Sequence, residues 1–128
     1  MWGMTALRYA AVSNRMEVLR LLVARGSDVN SRSSIGSTAL MDASGYGHEE
    51  VVAHLLRSGA EVNVQDRRGT TALLQATRNS RHDVMHLLLR HRADVRARDR
   101  FGESAVAIAR RNSDSVALRL LTAAVHVP

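Results

Sequence analysis

Gly3, Gly36, Gly69 and Gly102 stand at a constant spacing of 33 residues, and the positions around them repeat with them. Two residues beyond each glycine comes Thr5, Thr38, Thr71 or Ser104, and four beyond comes Leu7, Leu40, Leu73 or Val106. Seven beyond is always alanine: Ala10, Ala43, Ala76, Ala109. Val18, Val51 and Val84 align further on, then Leu22, Leu55, Leu88 and Leu121, then Val29, Val62 and Val95. No insertion or deletion interrupts the register. A unit this short cannot bury its own apolar face, so the chain is constrained to stack copies of it into a solenoid. One domain over 1–128 is expected, with units at approximately 1–32, 33–65, 66–98 and 99–128.

Each unit reads as a helix, a tight connection, a second helix and a turn. The hydroxyl of Thr5, Thr38, Thr71 or Ser104 is placed to accept from an orphan N–H in the first helical turn. An alanine follows in every copy, a strong helix former. The second helix carries apolar residues at steps of three and four, as in Val18, Leu19, Leu21, Leu22 and in Val84, Met85, Leu87, Leu88, Leu89. Gly26 and Gly59 come just past these helices, where a left-handed residue closes the last turn.

The segments Gly36-Ser37-Thr38-Ala39-Leu40, Gly47-His48-Glu49-Glu50-Val51-Val52 and Gly59-Ala60-Glu61-Val62-Asn63 resemble the ankyrin repeat. So do Arg25-Gly26-Ser27-Asp28-Val29-Asn30 and Asp66-Arg67-Arg68-Gly69-Thr70-Thr71-Ala72-Leu73. The resemblance covers essentially residues 1–126. It implies an all-α solenoid of four antiparallel helix pairs in a curved array, with β-hairpin-like fingers between neighbours. It also implies a non-enzymatic protein-binding scaffold or adaptor.

Three departures carry consequences. The family's Thr-Pro-Leu-His becomes Thr-Ala-Leu followed by Arg8, Met41 or Leu74, which keeps the helix but should lose the histidine's bond. Arg92 takes the slot of Gly26 and Gly59, a cost of up to about 1 kcal/mol if the conformation stays left-handed. Arg96 takes the slot of Asn30 and Asn63. The fourth unit reads as a closing repeat. The first, opening on Met1-Trp2-Gly3 without a preceding finger, reads as part of a longer array, so a monomer or a piece of such an array is expected.

There is no cysteine, no Asn-x-Ser/Thr acceptor, no apolar N-terminal run of signal-peptide length and no stretch long enough to span a membrane. A setting in the cytoplasm or nucleus is expected. All 18 basic residues are arginine, against 12 acids, for a net charge of +6. Arginine's planar fork grips carboxylate and phosphate through paired bonds and sheds water more readily than an ammonium. Without lysine, this segment offers no side-chain site for ubiquitin.

In the family that the repeats resemble, partners meet the finger tips and the concave surface of the first helices. Carried over slot by slot, this nominates Arg32 and Ile35, then Gln65, Arg67 and Arg68, then Arg98, Arg100 and Phe101 on the fingers. Tyr46, Arg78, Asn79 and Arg111 are nominated at the first-helix ends. Trp2, Ile35, Arg68 and Phe101 share one slot, and buried aromatic and arginine anchors carry most interface energy. The expected partner is a protein with an acidic surface or segment. The alternative is a basic module for nucleic acid or anionic lipid, disfavoured by an aromatic content of 3%, too low for a base-stacking platform.

No cofactor or metal is expected. His82-Asp83-Val84-Met85-His86 spaces two histidines one helical turn apart, but the register puts both on solvent-facing positions with no third ligand in reach. His48 follows Gly47 as the family's structural histidine does. Neither a nucleophile elbow nor a phosphate-cradling glycine loop is present. Asn30 and Asn63 sit in the leucine, acid, valine, asparagine pattern that the resemblance associates with asparagine hydroxylation.

Overall fold

The computed structural model describes residues 5–125. Among them the chain forms four helix pairs: α1 (Ala6–Val12) with α2 (Met16–Ala24), α3 (Ala39–Tyr46) with α4 (Glu49–Arg57), α5 (Ala72–Arg78) with α6 (His82–Arg90), and α7 (Ala105–Arg111) with α8 (Ser115–Val125). First helices stack on first helices and second on second, in chain order. Trp2 and Gly3 lie outside the described residues.

Each first helix starts where its hydroxyl says it should. The side chains of Thr5, Thr38, Thr71 and Ser104 accept from the N–H groups of Arg8, Met41, Leu74 and Ala107. Substituting such a cap by alanine typically costs about 1 kcal/mol. Ala10, Ala43, Ala76 and Ala109 are fully buried, so a larger side chain there would overpack the core. Leu19, Val51, Leu55, Val84, Leu88 and Leu121 fill the layer behind them, so the core runs as one continuous seam through the stack.

Arg92 does stay left-handed, at φ 67°, beside Gly26 at 93° and Gly59 at 95°. The lost histidine bond is replaced rather than simply missing. Met41 and Leu74 are buried apolar residues in that slot, and Arg8 reaches across to Asp42 with Nε and a terminal nitrogen both at 2.8 Å.

The fingers are tight turns, not regular strands; among the described residues the only ladder element is one antiparallel bridge between Arg98 and Ser104. Each turn is tied by one side chain. Ser33, Asp66 and Asp99 occupy the same slot, and each accepts from two N–H groups of its own finger. Backbone bonds then link successive tips: Arg67 N–H to the Ile35 carbonyl and Arg100 N–H to the Arg68 carbonyl, each at 2.9 Å. These two bonds decide where the tip side chains stand.

Candidate functional site

Because the tips are joined in a row, Ile35, Arg67 with Arg68, and Arg100 with Phe101 line one edge of the molecule. Their side chains are not absorbed by the fold. Ile35 is 50% and Phe101 74% exposed, so packing against a neighbouring finger does not account for either. The Arg100 guanidinium carbon lies 5.0 Å from the Phe101 ring centre, within cation–π range. Arg67, Arg68 and Arg100 are exposed and form no ion pair among the described residues.

A second group of nominated residues turns out to be engaged in holding the stack together. Arg32 donates to the Gly36 carbonyl of its own finger and to the Gln65 carbonyl of the next. Gln65, one repeat later in the same slot, donates to Gly69 and Arg98 carbonyls in the same fashion. Arg98 closes the column with a long bond to the Gly102 carbonyl. Arg78 is clamped between the Thr70 hydroxyl at 3.1 Å and the buried Asp99 carboxylate at 2.6 Å, leaving its side chain 30% exposed. Arg111 pairs with Glu103 of the third finger. Asn79 spends its amide on the Gln75 carbonyl of its own helix. Among these nominated arginines, the guanidinium groups with neither an ion pair nor a carbonyl partner thus stand at the tips.

Tyr46, 56% exposed at the end of α3, stacks on His48 with ring centres 5.7 Å apart and planes 9° from parallel. His48 is in turn fixed by the Val12 carbonyl, 2.9 Å from Nε2, so that nitrogen carries a proton. The tyrosine is therefore a rigid exposed ring on a pinned support. Asn30 and Asn63 bridge to the next repeat: their amides donate to the Gly59 and Arg92 carbonyls and accept from the Glu61 and Asp94 N–H groups.

The histidine pair resolves differently from the expectation of two solvent-facing rings. His86 is exposed, but His82 is half-buried with Nε2 2.8 Å from both oxygens of Asp114. Asp114 occupies the slot of His48 and Arg81, whose side chains donate to Val12 and Gly45 carbonyls of the preceding repeat. At the last junction an acid stands there and a histidine from the preceding repeat reaches it instead. Desolvation pushes the Asp114 carboxyl up, but bonds from His82, the Ala117 N–H and Ser80 outweigh this and hold it below the usual carboxylate range. The signal was present in the register, since an acid in a donor slot calls for a donor opposite. Among the described residues no group of three His, Asp or Glu side chains is placed to hold a metal ion, and no helix is long and apolar enough to cross a membrane.

A family model for ankyrin repeats (3 copies) matches residues 2–66 and 40–127. Comparison with curated proteins finds no similar sequence. With four stacked helix pairs, capped first helices and fingers joined tip to tip, the chain belongs to the ankyrin-repeat family, whose members generally serve as modules of protein–protein interaction.

Proposed function

We propose that this module is a non-catalytic adaptor that binds an acidic segment of another protein along the finger tips. The observation that carries the reading is the row of Arg67, Arg68 and Arg100, exposed, unneutralised and flanked by Ile35 and Phe101. Guanidinium groups beside exposed apolar surface suit a ligand that alternates carboxylates with apolar side chains, and anchors of these kinds cost about 2 kcal/mol or more each when truncated. Tyr46 and the less neutralised faces of Arg32, Arg78, Arg98 and Arg111 extend the contact without dominating it. The cytoplasm or the nucleus is the setting proposed for such a partner.

Replacing Arg67, Arg68 and Arg100 together with glutamate reverses the charge of the row while leaving every core residue in place. Affinity capture from cell extract should recover partners with wild type that the triple variant loses, at unchanged helicity. Partners retained at full strength would refute the site. Titration with duplex DNA separates the alternative: tight, steeply salt-dependent DNA binding with no protein captured would favour a nucleic-acid module.

A further inference from the structure

A second surface lies on the opposite helices. Between α6, α8 and the turn leading into the third finger is a cleft of about 970 Å³, a size typical of ligand pockets. Its floor is apolar, built from Leu89, Val95, Leu120 and Ala123. Its rim carries His86, Arg90, Arg92 and Arg96, with Asp94 the one acid of the lining. Asp94 already accepts from the Arg96 N–H, and none of the three arginines forms an ion pair among the described residues.

Two departures from the repeat open this cleft. At the earlier junctions the finger asparagine, Asn30 or Asn63, clamps onto the turn that follows the next second helix. Arg96 takes that slot here, and the position that would offer the carbonyl, Val125, is still helical. Second, α4 and α6 close with the long or polar side chains of Arg57-Ser58 and Arg90-His91, whereas the same slots near the end of α8 hold Ala123 and Ala124, the first of them small as Ala24 is in α2.

We infer that this cleft is a second docking site, for a short acidic segment of another protein that seats leucine-like side chains on Leu89 and Leu120 and carboxylates against Arg90, Arg92 and Arg96. Charge complementarity decides the occupant. A strip of apolar surface between three unneutralised guanidinium groups repels a second copy of this basic chain, whose net charge is +6. Residues 126–128, His-Val-Pro, carry no acidic side chain. The site is independent of the finger-tip row.

The test is fluorescence anisotropy with a fluorescein-labelled peptide, Glu-Leu-Asp-Glu-Leu-Leu-Asp-Glu, at low salt. Saturable binding is expected, with methyl shifts at Leu89, Leu120 and Ala123. Ala123→Gln places a long uncharged side chain in the slot that holds Arg57 and Arg90, so the fold should accept it, and by covering the apolar floor it should weaken binding by about tenfold or more. Arg90→Glu with Arg96→Glu should do the same, while the Arg67, Arg68 and Arg100 triple change should leave these methyl shifts in place. Unaltered affinity in Ala123→Gln, or equal affinity for a peptide with serine in place of leucine, overturns the proposal. So does tighter binding after removal of residues 126–128, which would make that segment the occupant, or a dimer that Ala123→Gln converts to monomer.

Discussion

Gly36, Gly69 and Gly102 share a slot and a left-handed backbone, at φ 80°, 76° and 81°, yet alanine should not cost the same at each. The conformational term is common to all three, about 1 kcal/mol for a Cβ held at positive φ, partly offset by a stiffer unfolded chain. The surroundings differ. An added Cβ at Gly102 meets nothing within 4 Å. At Gly36 it would lie 3.0 Å from an Arg32 terminal nitrogen, which can swing aside, and 3.3 Å from the Asp66 Cα. At Gly69 it would lie 2.8 Å from the Arg100 backbone nitrogen and 3.0 Å from the Asp99 Cα, neither of which can move alone. Accommodating it means displacing the third finger and stretching the 2.9 Å bond from Arg100 N–H to the Arg68 carbonyl. Overpacking of this kind costs about 1–3 kcal/mol, and the bond adds about 1. Gly69→Ala should therefore destabilise by about 3 kcal/mol, Gly36→Ala by about 2 and Gly102→Ala by about 1. Urea unfolding followed by circular dichroism at a common slope reads the series directly. Equal losses at Gly69 and Gly102 would show that the fingers are not in register-setting contact. Gly69→Ala should also weaken partner binding, because the bond it strains aligns Arg68 with Arg100.

Three further outcomes follow from individual residues. Arg92→Gly should stabilise by about 1 kcal/mol, read as a rise in Tm, because it keeps the left-handed backbone and removes the Cβ. His54 is held below its ordinary value of 6.5 by burial, with Arg57 and Arg20 adding to it, so its folded form resists the proton that the unfolded chain accepts. Stability should accordingly be full above that value and decline as pH falls below it until the folded value is passed; His54→Gln should flatten that part of the profile. Asp42→Ala removes the carboxylate that faces Arg8, only 7% exposed, and should cost about 1–3 kcal/mol. The double change Arg8→Met with Asp42→Leu should recover most of that loss in the same urea assay.

The repeat period made the helix pairs legible because each column states a local requirement. A hydroxyl before an alanine caps, a glycine past a leucine run closes, and both act within a few residues of themselves. Arg92 was legible for the same reason: its slot demanded a left-handed residue whatever its identity. What the sequence leaves open is how each arginine is used. Arg67 and Arg78 read alike as exposed basic residues, but a Thr70 hydroxyl and an Asp99 carboxylate lie within reach of Arg78 alone. The contact between His82 and Asp114 and the cleft above Ala123 escape a slot-by-slot reading for the converse reason. Both arise between one repeat and the next, where two different columns meet.

The slots that join repeats tolerate residues of opposite chemistry. His48, Arg81 and Asp114 stand in one column, and Arg32, Gln65 and Arg98 in another. In the second column every member donates to a carbonyl of its own finger, and Arg32 and Gln65 also donate to the next, so a planar donor of sufficient reach is all the slot demands. In the first, two donors yield to an acceptor only because His82 supplies the proton from the other side. Variation in a stitching column thus says little about partners. The tip column is different in kind: the carbonyls of Ile35 and Arg68 hold the row, while the side chains of Ile35, Arg68 and Phe101 are exposed, that of Phe101 beside the Arg100 guanidinium. An arginine between two large apolar residues, in a slot from which the fold asks only a backbone amide and carbonyl, is where selection for a ligand has room to act. Exchanging Arg68 for isoleucine should leave the urea midpoint where it is and change which proteins the module retains.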